Sequence, residues 1–499
     1  MKKYILSIDQ GTTSSRAIIF DENGKSVTDS QMEISLICPN SGWVEQNPLE
    51  IWETVYEVIK EVITEGKIDY HDIVCLGITN QRETTILWDR KTGVPIYNAI
   101  VWQSRQSQEI CEKLINEGYE KIIQSKTGLI INPYFSATKI KWILDNVEGA
   151  RDKADNGDLL FGTVDTYLVW KLTNGKYHVT DYTNASRTML YNIHNLCWDE
   201  ELLQLLDIPM SILPKVVDSS GYIGEADKLK DIKKDLILPI TSIVGDQQAS
   251  LFGQTCFSLG DVKNTYGTGC FMLMNTKDKI VESNNGLLTT IAWGIKGKIE
   301  YALEGSVFVA GSAVQWLRDN LKMIEKSNEV EDYSERVVGS DGVYVVPAFV
   351  GLGTPYWDND ARGAIFGLTR GTKKEHFINA TVESIAYQAK DVMDVMVKES
   401  GVKIHELTVD GGASVNNYLL QFQADLLNCK IRRPSCLETT ALGAAYMAGL
   451  EAGIWSSLEE LKKLGETNQI FMRRMSDKEA SVKYLGWKKA VEATRMFKL

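Results

Sequence analysis

The sequence predicts an α/β protein of two similar halves with a ligand cleft between them. Two observations carry this prediction. A series of short strands, a helix, and then a buried strand with a polar end occurs twice along the chain. Each copy also begins with a turn rich in glycine and hydroxyl residues, at residues 11–14 and 267–269. Because open α/β sheets bind ligands at strand ends, the two turns are expected to face one cleft.

The first half opens with a predicted antiparallel meander. Apolar residues 4–8 and 16–20 indicate two strands, and Asn23-Gly24 indicates a tight turn into a third strand from Val27 to Ile34. A helical stripe then follows Pro48, with apolar residues at Ile51, Val55, Val58, Ile59 and Val62. The run "IVCLGIT" predicts a strand buried on both faces, and it ends in the polar cluster "NQRETT".

The second half repeats this order. The stretch "GDVKNTYGTGCFMLMNT" predicts a strand, a turn and a strand, and two further strands follow around Gly294 and Gly297. The predicted later elements are helices near 312–321 and 375–397, a strand "ELTVD" ending in "GGASVNN", and helices near 417–428 and 439–452. The predicted domains are residues 1–252 and 253–499.

Composition excludes several classes of protein. The 499 residues are 44% hydrophobic and 24% charged, as in ordinary globular proteins, and the net charge is −12. That net negative charge argues against binding to nucleic acid or to an anionic membrane surface. The short apolar stretch before Asp9 is too short for a signal peptide, and no apolar run is long enough for a membrane span.

The cysteines and histidines favour a reducing compartment without a zinc site. The eight cysteines include no C-x-x-C pair, and the five histidines form no H-E-x-x-H set. Several cysteines lie in apolar runs, as Cys75 does, which is typical of buried free thiols. A cytoplasmic protein is therefore predicted.

The two glycine turns predict a phosphate site that is not a P-loop. Ile19 occupies the position of the first glycine that a P-loop before Gly24-Lys25-Ser26 requires, and Met272 breaks a G-x-G-x-x-G pattern. Successive backbone N–H groups in a tight turn, with flanking hydroxyls, can nevertheless hold an anion. The turns "GTTS" and "GTG" have this chemistry.

Two charged residues beside the first turn have alternative interpretations. Arg16 could pair with a phosphate or be a solvated charge at a strand edge. Asp9 could reach Mg²⁺ directly or through water, or could make a hydrogen bond within the turn.

A second polar group predicts a site for a small polyol. Arg82 and Glu83 follow a buried strand, and Asp246 follows the apolar run "ITSIV". Since adjacent strand residues point to opposite faces, Arg82 and Glu83 can address one ligand only if the chain bends there. Charged groups would bind hydroxyls while Trp102 and Tyr134 cover C–H edges. Judged alone, Trp102 is more typical of a plain core residue.

Seven motifs together resemble the FGGY family of carbohydrate kinases. They are "DQGTTSSR", "GWVEQNP", "TNQRETT", "GDQQASLFGQ", "NTYGTGCFMLMNT", "GLGTPYWDNDARG" and "DGGASVNNYLLQFQADLL". The resemblance extends from about residue 4 to residue 490, with the motifs in the family's order. It implies two duplicated actin-like (ribonuclease H-like) domains and phosphorylation of glycerol by ATP to sn-glycerol 3-phosphate.

The resemblance also implies residue roles. Nucleotide phosphates would contact Thr12, Thr13, Ser14 and Arg16, and the second domain would hold the nucleotide with Thr268, Gly311, Gln315, Gly412 and Asn416. Glycerol would be bound by Arg82, Glu83, Tyr134, Asp246 and Gln247, with Trp102 and Phe271 along its apolar edge. Asp9 would serve Mg²⁺, and Asp246 would be the general base.

Two regulatory features of some relatives are not seen in this sequence. The stretch "EADKLKDIKKDLILP" before "GDQQ" contains no histidine for a phosphocarrier protein to modify, and no Gly-Ser-Arg stretch resembles a fructose-1,6-bisphosphate loop.

Two other functions and the choice between two assembly states stay open at this point. The motifs could serve a kinase for a larger sugar, such as xylulose or gluconate, or an actin-like nucleotide switch that binds protein partners. The switch leaves "NQRE" and "GDQQ" unexplained. A homodimer or homotetramer is expected.

Overall fold

The computed structural model describes residues 2–358, 360–465 and 467–497, and it is a mixed α/β protein around one thirteen-stranded sheet. The strands of this sheet are β1 (Tyr4–Gln10), β2 (Ser14–Asp21), β3 (Ser26–Glu33), β4 (Ile73–Asn80), β5 (Ser220–Glu225), β6 (Pro239–Gly245), β7 (Val262–Tyr266), β8 (Cys270–Lys277), β9 (Leu288–Ile295), β10 (Lys298–Val307), β11 (Glu406–Gly411), β12 (Lys430–Pro434) and β13 (Thr467–Phe471).

Helices cover the sheet and fill the regions between its strands. They are α1 (Pro48–Glu65), α2 (Gln108–Asn116), α3 (Glu120–Thr127), α4 (Ser136–Asn146), α5 (Ala150–Asp155), α6 (Val164–Leu172), α7 (Tyr182–Ala185), α8 (Glu200–Leu206), α9 (Asp246–Gly253), α10 (Gly311–Asp319), α11 (Glu329–Ser334), α12 (Lys374–Ser400), α13 (Asn417–Leu427), α14 (Thr439–Glu451), α15 (Leu458–Leu464) and α16 (Asp477–Met496).

Short two-stranded ladders complete the described structure. They pair Glu45–Gln46 with Ala99–Ile100, Ile86–Asp89 with Leu159–Gly162, Val179–Asp181 with Lys215–Val217, Tyr191–Asn192 with Cys197–Trp198, and Tyr344–Val346 with Ala364–Phe366. Within the described ranges, no helix is long and apolar enough to cross a membrane.

The order of the sheet strands shows the duplication directly. It is β13-β12-β11-β7-β8-β10-β9-β5-β6-β4-β1-β2-β3. In the first half, β1, β2 and β3 form an antiparallel meander, β4 and β6 add in parallel, and β5 adds antiparallel. In the second half, β7, β8 and β10 form the meander, β11 and β12 add in parallel, and β13 adds antiparallel. The predicted fold of two similar halves is therefore confirmed.

The halves meet through two helices that cross at glycines. A Cβ on Gly443 of α14 would lie 1.9 Å from the carbonyl oxygen of Ala249 in α9, and one on Gly253 would lie 2.0 Å from that of Thr439. Only glycine allows backbones to approach so closely. The Ser7 hydroxyl of β1 donates to the carbonyl of Ala441, 2.7 Å away, so α14 is also fastened to the first half.

The predicted elements agree with the structure to within a few residues at their ends. The meander, the helix beginning at Pro48, the buried strand before "NQRETT" and the long helix of the second half are all present. Strand β4 is almost wholly buried, as its continuous apolar run predicts. The helices α2 to α8, which build the wall of the first half, were not predicted.

Candidate functional site

The two glycine turns lie at the ends of equivalent strands, β1 and β7. In the first turn the Gly11 amide donates to the carbonyl of Ser14 at 2.9 Å, and Thr12, Thr13 and Ser14 are at least partly exposed. This bond closes the turn through the backbone, so the turn does not depend on a side-chain bond from Asp9. The hydroxyl oxygens of Thr12 and Ser14 accept from Trp102 at 2.9 Å and from Gln31 at 3.0 Å, which leaves the hydroxyl protons to donate to a ligand.

The second turn is held by the start of α10. The Gly267 amide donates to the carbonyl of Gly269 at 2.9 Å, and the Gly311 amide donates to the carbonyl of Gly267 at 3.1 Å. A Cβ on Gly311 would lie 2.5 Å from the Gly267 oxygen. The glycine at residue 311 is therefore required by the close approach of the turn to the helix.

A cavity of about 680 Å³ opens beside the second turn. It contains every second-domain residue that the motifs assign to the nucleotide, namely Thr268, Gly311, Gln315, Gly412 and Asn416. Apolar side chains line another part of it: Val314, Val382, Ile385, Val415 and Leu419. An apolar slot next to a hydroxyl-and-amide rim suits a ligand with a flat ring and a phosphate chain.

Asp9 is a partly buried carboxylate at the end of β1. Burial raises its pKa from 3.8 to about 7, and the negative charges of Asp246 and Glu438 add to this rise. A partly buried carboxylate beside a phosphate turn suits Mg²⁺, since this ion uses one or two carboxylates and keeps several waters.

Arg16 lies between the halves. Its guanidinium forms an ion pair with Glu438 at the start of α14, and a longer one with Asp29 at 3.7 Å. The strand-edge interpretation is only partly right, because the side chain is 26% exposed and is engaged across the cleft. A phosphate would therefore compete with Glu438 for this guanidinium.

The predicted acceptor site rests on a buried group of alternating charges. Arg82 donates to Glu304 at 2.6 Å, and Arg187 donates to Glu304 at 3.0 Å and to Glu83 at 2.6 Å. All four side chains are at most 2% exposed. Burial alone would raise the pKa of Glu304, but Arg187 and Arg82 lower it to about 2. For Glu83, the effect of burial outweighs that of Arg187 and Arg82, so the pKa is raised.

The predicted bend after β4 is present. Strand β4 ends at Asn80, and Glu83 adopts a left-handed conformation with φ of 60°. This conformation is uncommon for a residue other than glycine, and strained residues of this kind cluster at functional sites. The buried Lys139 ammonium donates to the carbonyls of Glu83, Tyr134 and Phe135. The bend lets Arg82 and Glu83 join one charge group instead of facing opposite sides of a sheet.

Asp246 is the first residue of α9, where the helix dipole favours a negative charge. Its carboxylate lies 3.2 Å from Arg82 Nε and accepts from the Gln247 amide at 2.7 Å, yet the side chain stays 30% exposed. Gly245 precedes it, and a Cβ there would lie 2.8 Å from the Arg82 side chain. The strand end thus holds Arg82 and Asp246 together.

Gln247 connects the two halves beside Asp246. Its side-chain oxygen accepts from Lys263 of β7 at 2.6 Å, and Lys263 also donates to Thr265 at 2.9 Å. Burial lowers the pKa of Lys263 to about 8, against the attraction of Asp410 and Asp246. The amide group of Gln247 is therefore oriented by the second half.

Three aromatic rings form one wall of the acceptor site. Trp102 packs edge-to-face against Tyr134, with ring centroids 5.5 Å apart, and against Phe271, at 6.3 Å. Its indole nitrogen donates to the Thr12 hydroxyl at 2.9 Å. Trp102 is only partly buried, which favours a ligand-facing ring over a core residue. The wall also joins the acceptor site to the first phosphate turn.

Sequence reasoning missed the charged residues that support the site: Arg187, Lys263, Glu304 and Glu438. A signal was available for two of them. Lys263 and Glu304 are charged residues within predicted strands, and both are fully buried. A charge at such a position is costly unless it is paired, so each indicates a partner elsewhere in the chain. The partner's identity is not encoded locally.

Comparison with family models gives two matches that follow one another along the chain. The N-terminal domain of the FGGY family of carbohydrate kinases matches residues 4–253, and the C-terminal domain of that family matches residues 262–452.

Individual proteins are similar over the whole length. Glycerol kinases of Bacillus licheniformis and of a Geobacillus strain are each 59% identical over 498 residues, covering 100% of both chains. A Plasmodium falciparum glycerol kinase solved with ADP is 40% identical and superposes with a TM-score of 0.94, covering 100% of this chain and 99% of that one. A gluconate kinase from Lactobacillus acidophilus shares the fold at 24% identity, with a TM-score of 0.89 and 99% of each chain covered.

Proposed function

The chain belongs to the FGGY family of carbohydrate kinases, and we propose that it transfers the γ-phosphoryl group of ATP to glycerol, forming sn-glycerol 3-phosphate, with Asp246 as the general base. The full-length identity to glycerol kinases supports the activity. The position of Asp246 supports the role of this residue. Its carboxylate is 30% exposed, lies 3.2 Å from the buried Arg82 and is close enough to Asp9 for its charge to raise the pKa of Asp9.

The acceptor is activated by loss of one hydroxyl proton. Asp246 accepts the proton of a terminal acceptor hydroxyl. The oxygen of that hydroxyl forms a bond to the γ-phosphorus as the bond between the γ-phosphorus and the β-phosphate oxygen breaks, which releases ADP. Arg82 donates to an acceptor oxygen and Glu83 accepts from a hydroxyl, each contributing about 1.5–3 kcal/mol as hydrogen bonds to charged groups. The buried ion pairs hold both side chains in place before glycerol arrives.

The nucleotide side supplies donors for the phosphates. We propose that Thr12, Thr13, Ser14 and Arg16 contact them from the first half, and that Thr268, Gly311, Gln315, Gly412 and Asn416 hold the nucleotide from the second. Asp9 fits Mg²⁺, which would neutralise charge on the phosphate oxygens when bound. Donors held in closed turns need little reorganisation when a charged ligand binds, and such preorganised donors are a main source of electrostatic stabilisation in catalysis.

The aromatic wall favours a three-carbon acceptor over a larger sugar. Trp102 packs against both Tyr134 and Phe271, so the rings would cover the C–H edge of the acceptor and leave the charged groups as its polar face. A site built to bond each hydroxyl can reject an analogue lacking one by about 10⁴-fold. Closure of the two halves would exclude water from the phosphate.

The experiment that tests this function is a coupled assay for ADP release with glycerol, xylulose, gluconate and no acceptor. We expect ADP release that depends on glycerol and is far weaker with the larger acceptors. Turnover of xylulose or gluconate above that of glycerol would assign the chain to the larger-sugar kinases. Release of ADP at the same rate without any acceptor would support a nucleotide switch.

The second turn offers a separate prediction for nucleotide binding. In Gly311→Ala the new methyl group must displace the Gly267 carbonyl, 2.5 Å away, and so distort the turn. We expect ADP affinity, measured by calorimetry, to fall by about 10-fold, the effect of losing one well-aimed hydrogen bond to a charged group. The control is Gly221→Ala in β5, where the nearest atom is 3.7 Å away. Unchanged ADP affinity would place the phosphates elsewhere.

Three further predictions complete the proposal. We propose a division into domains 1–252 and 253–499, a cytoplasmic location and assembly as a homodimer or homotetramer. All eight cysteines are unpaired, which supports a reducing compartment. Light scattering of the purified chain measures the assembly state.

A further inference from the structure

A short buried segment behind the acceptor site contacts three of its parts. The segment runs from Asp181 to Arg187 and includes α7. Arg187 binds Glu83 and Glu304. Asn184 exchanges side-chain hydrogen bonds with Asn80, the last residue of β4, at 3.0 and 3.2 Å. The segment therefore has partners in the buried charge group and at the end of β4, and its third contact is with Gly245 at the end of β6.

Asp181 organises the segment as a buried anion. Its carboxylate accepts from the amides of Thr183 and Asn184 at 3.0 and 2.9 Å, and thereby caps α7. It also accepts from the side chains of Thr183 at 2.8 Å, Asn184 at 2.9 Å and Ser219 at 2.7 Å. Burial raises the pKa of Asp181, and these donors oppose that rise. The Asp181 carboxylate therefore accepts five hydrogen bonds, all from uncharged groups.

The orientation of the Thr183 hydroxyl follows from this. Its proton goes to Asp181, so its oxygen is left to accept, and it accepts from the amide of Gly245 at 2.8 Å. Gly245 is the last residue of β6 and the residue immediately before Asp246. A side chain thus takes the place of a sheet partner at the amide that determines where the strand ends and the helix begins.

The other side of Gly245 is closed by Arg82, since a Cβ there would lie 2.8 Å from its side chain. The peptide before Asp246 is therefore held between Thr183 and Arg82. We propose that Thr183, fixed by Asp181, is a positioning residue for the phosphoryl transfer: it holds the Gly245 amide and so directs the Asp246 carboxylate toward the acceptor. This inference rests on the proposed function of Asp246.

The test compares Thr183→Val with Thr183→Ser. Valine keeps the shape and removes the hydroxyl, so the Gly245 amide loses its acceptor and Asp181 loses a donor. We expect kcat with glycerol to fall by about 10-fold, because small misplacements of reacting groups cost one to two orders of magnitude. The KM for ATP should stay within about twofold. Thr183→Ser, which restores the hydroxyl, should recover most of kcat.

Thr180→Val is the matched control. Thr180 is also buried, and its hydroxyl donates to another buried carboxylate, Asp165, at 2.7 Å, away from the Gly245 amide. If Thr183→Val and Thr180→Val had the same kcat, or if Thr183→Ser were as impaired as Thr183→Val, the positioning role would be wrong.

A crystal structure of Thr183→Val gives a readout that does not depend on activity. We expect the Asp246 carboxylate to move away from Arg82 Nε, and an unmoved carboxylate would contradict the proposal. A wild-type chain without glycerol-dependent ADP release would instead contradict the proposed function, whatever the position of Asp246 in the variant.

Discussion

Replacing Asp246 with asparagine should lower kcat with glycerol by about 10²-fold or more, the usual effect of removing a general base. Asparagine keeps the shape, and its oxygen can still accept from the Gln247 amide and lie beside Arg82, but it cannot take up the hydroxyl proton. We therefore expect ADP affinity to stay within about twofold, and the KM for glycerol to change much less than kcat. Steady-state ADP release and calorimetry measure the two effects.

The neighbouring carboxylates are poor substitutes for Asp246. Arg187 and Arg82 bind Glu304, whose pKa of about 2 makes it a weak base, and Arg187 also binds Glu83. Asp410 accepts from the hydroxyls of Ser250 and Thr439. Asp231→Asn, the same substitution at an exposed position, is the control for differences in kcat between protein preparations. Near-normal turnover of Asp246→Asn would show that another group removes the proton.

Replacing Asp9 with asparagine should change activity and stability in opposite directions. The proposed Mg²⁺ site loses a carboxylate, so we expect kcat to fall by at least about 10-fold, since removing one well-placed electrostatic group costs about 10²-fold or more. The ligand-free fold should become more stable above pH 7. Burial and the charges of Asp246 and Glu438 disfavour the ionised Asp9, and the neutral amide removes that penalty.

The pH dependence follows from the pKa of Asp9, about 7 in the fold and 3.8 as its ordinary value. The folded chain holds this proton more tightly than the unfolded chain. The contribution of Asp9 to the free energy of unfolding is therefore greatest below about pH 4, declines as the pH rises to 7, and stays low above pH 7. We expect the Tm of Asp9→Asn, measured without Mg²⁺ or nucleotide, to rise above that of the wild type by an amount that grows over this pH range. At pH 8 the free energy of unfolding of the variant should be higher by at least about 1 kcal/mol.

A Tm difference between Asp9→Asn and wild type that is constant from pH 4 to pH 8 would contradict this account. A second measurement isolates the cause. Because the negative charge of Asp246 raises the pKa of Asp9, Asp246→Asn should move the pH window of the effect to lower values.

Much of the fold was predictable because its signals are local. The apolar runs of β1, β2 and β4, the glycine turns, and the helical stripe after Pro48 each depend on neighbours within one element. Their repetition predicted two halves. Helices α2 to α8 were missed because their shorter and less regular patterns become stable only by packing against the first half.

The site divides in the same way. Asp246, Arg82, Glu83 and the glycine turns are recognisable because each stands at a strand end, and the bend at Glu83 followed from the need for two adjacent side chains to meet. The ion pair of Arg187 with Glu304 was not recognisable. A charge within a predicted strand indicates that Glu304 has a partner, but nothing local identifies Arg187, 117 positions away in the chain.

By itself, the sequence determined the chemistry available at each strand end: hydroxyls and amides for phosphate, carboxylates for a proton and a metal, and charges with aromatic rings for a polyol. Only the tertiary structure decided which of these groups meet. It brought Lys263 to Gln247, Glu438 to Arg16, and Thr183 to the amide before Asp246. The physical reason is that hydrogen bonds and ion pairs act over a few ångströms in space, whereas sequence patterns report only neighbours along the chain.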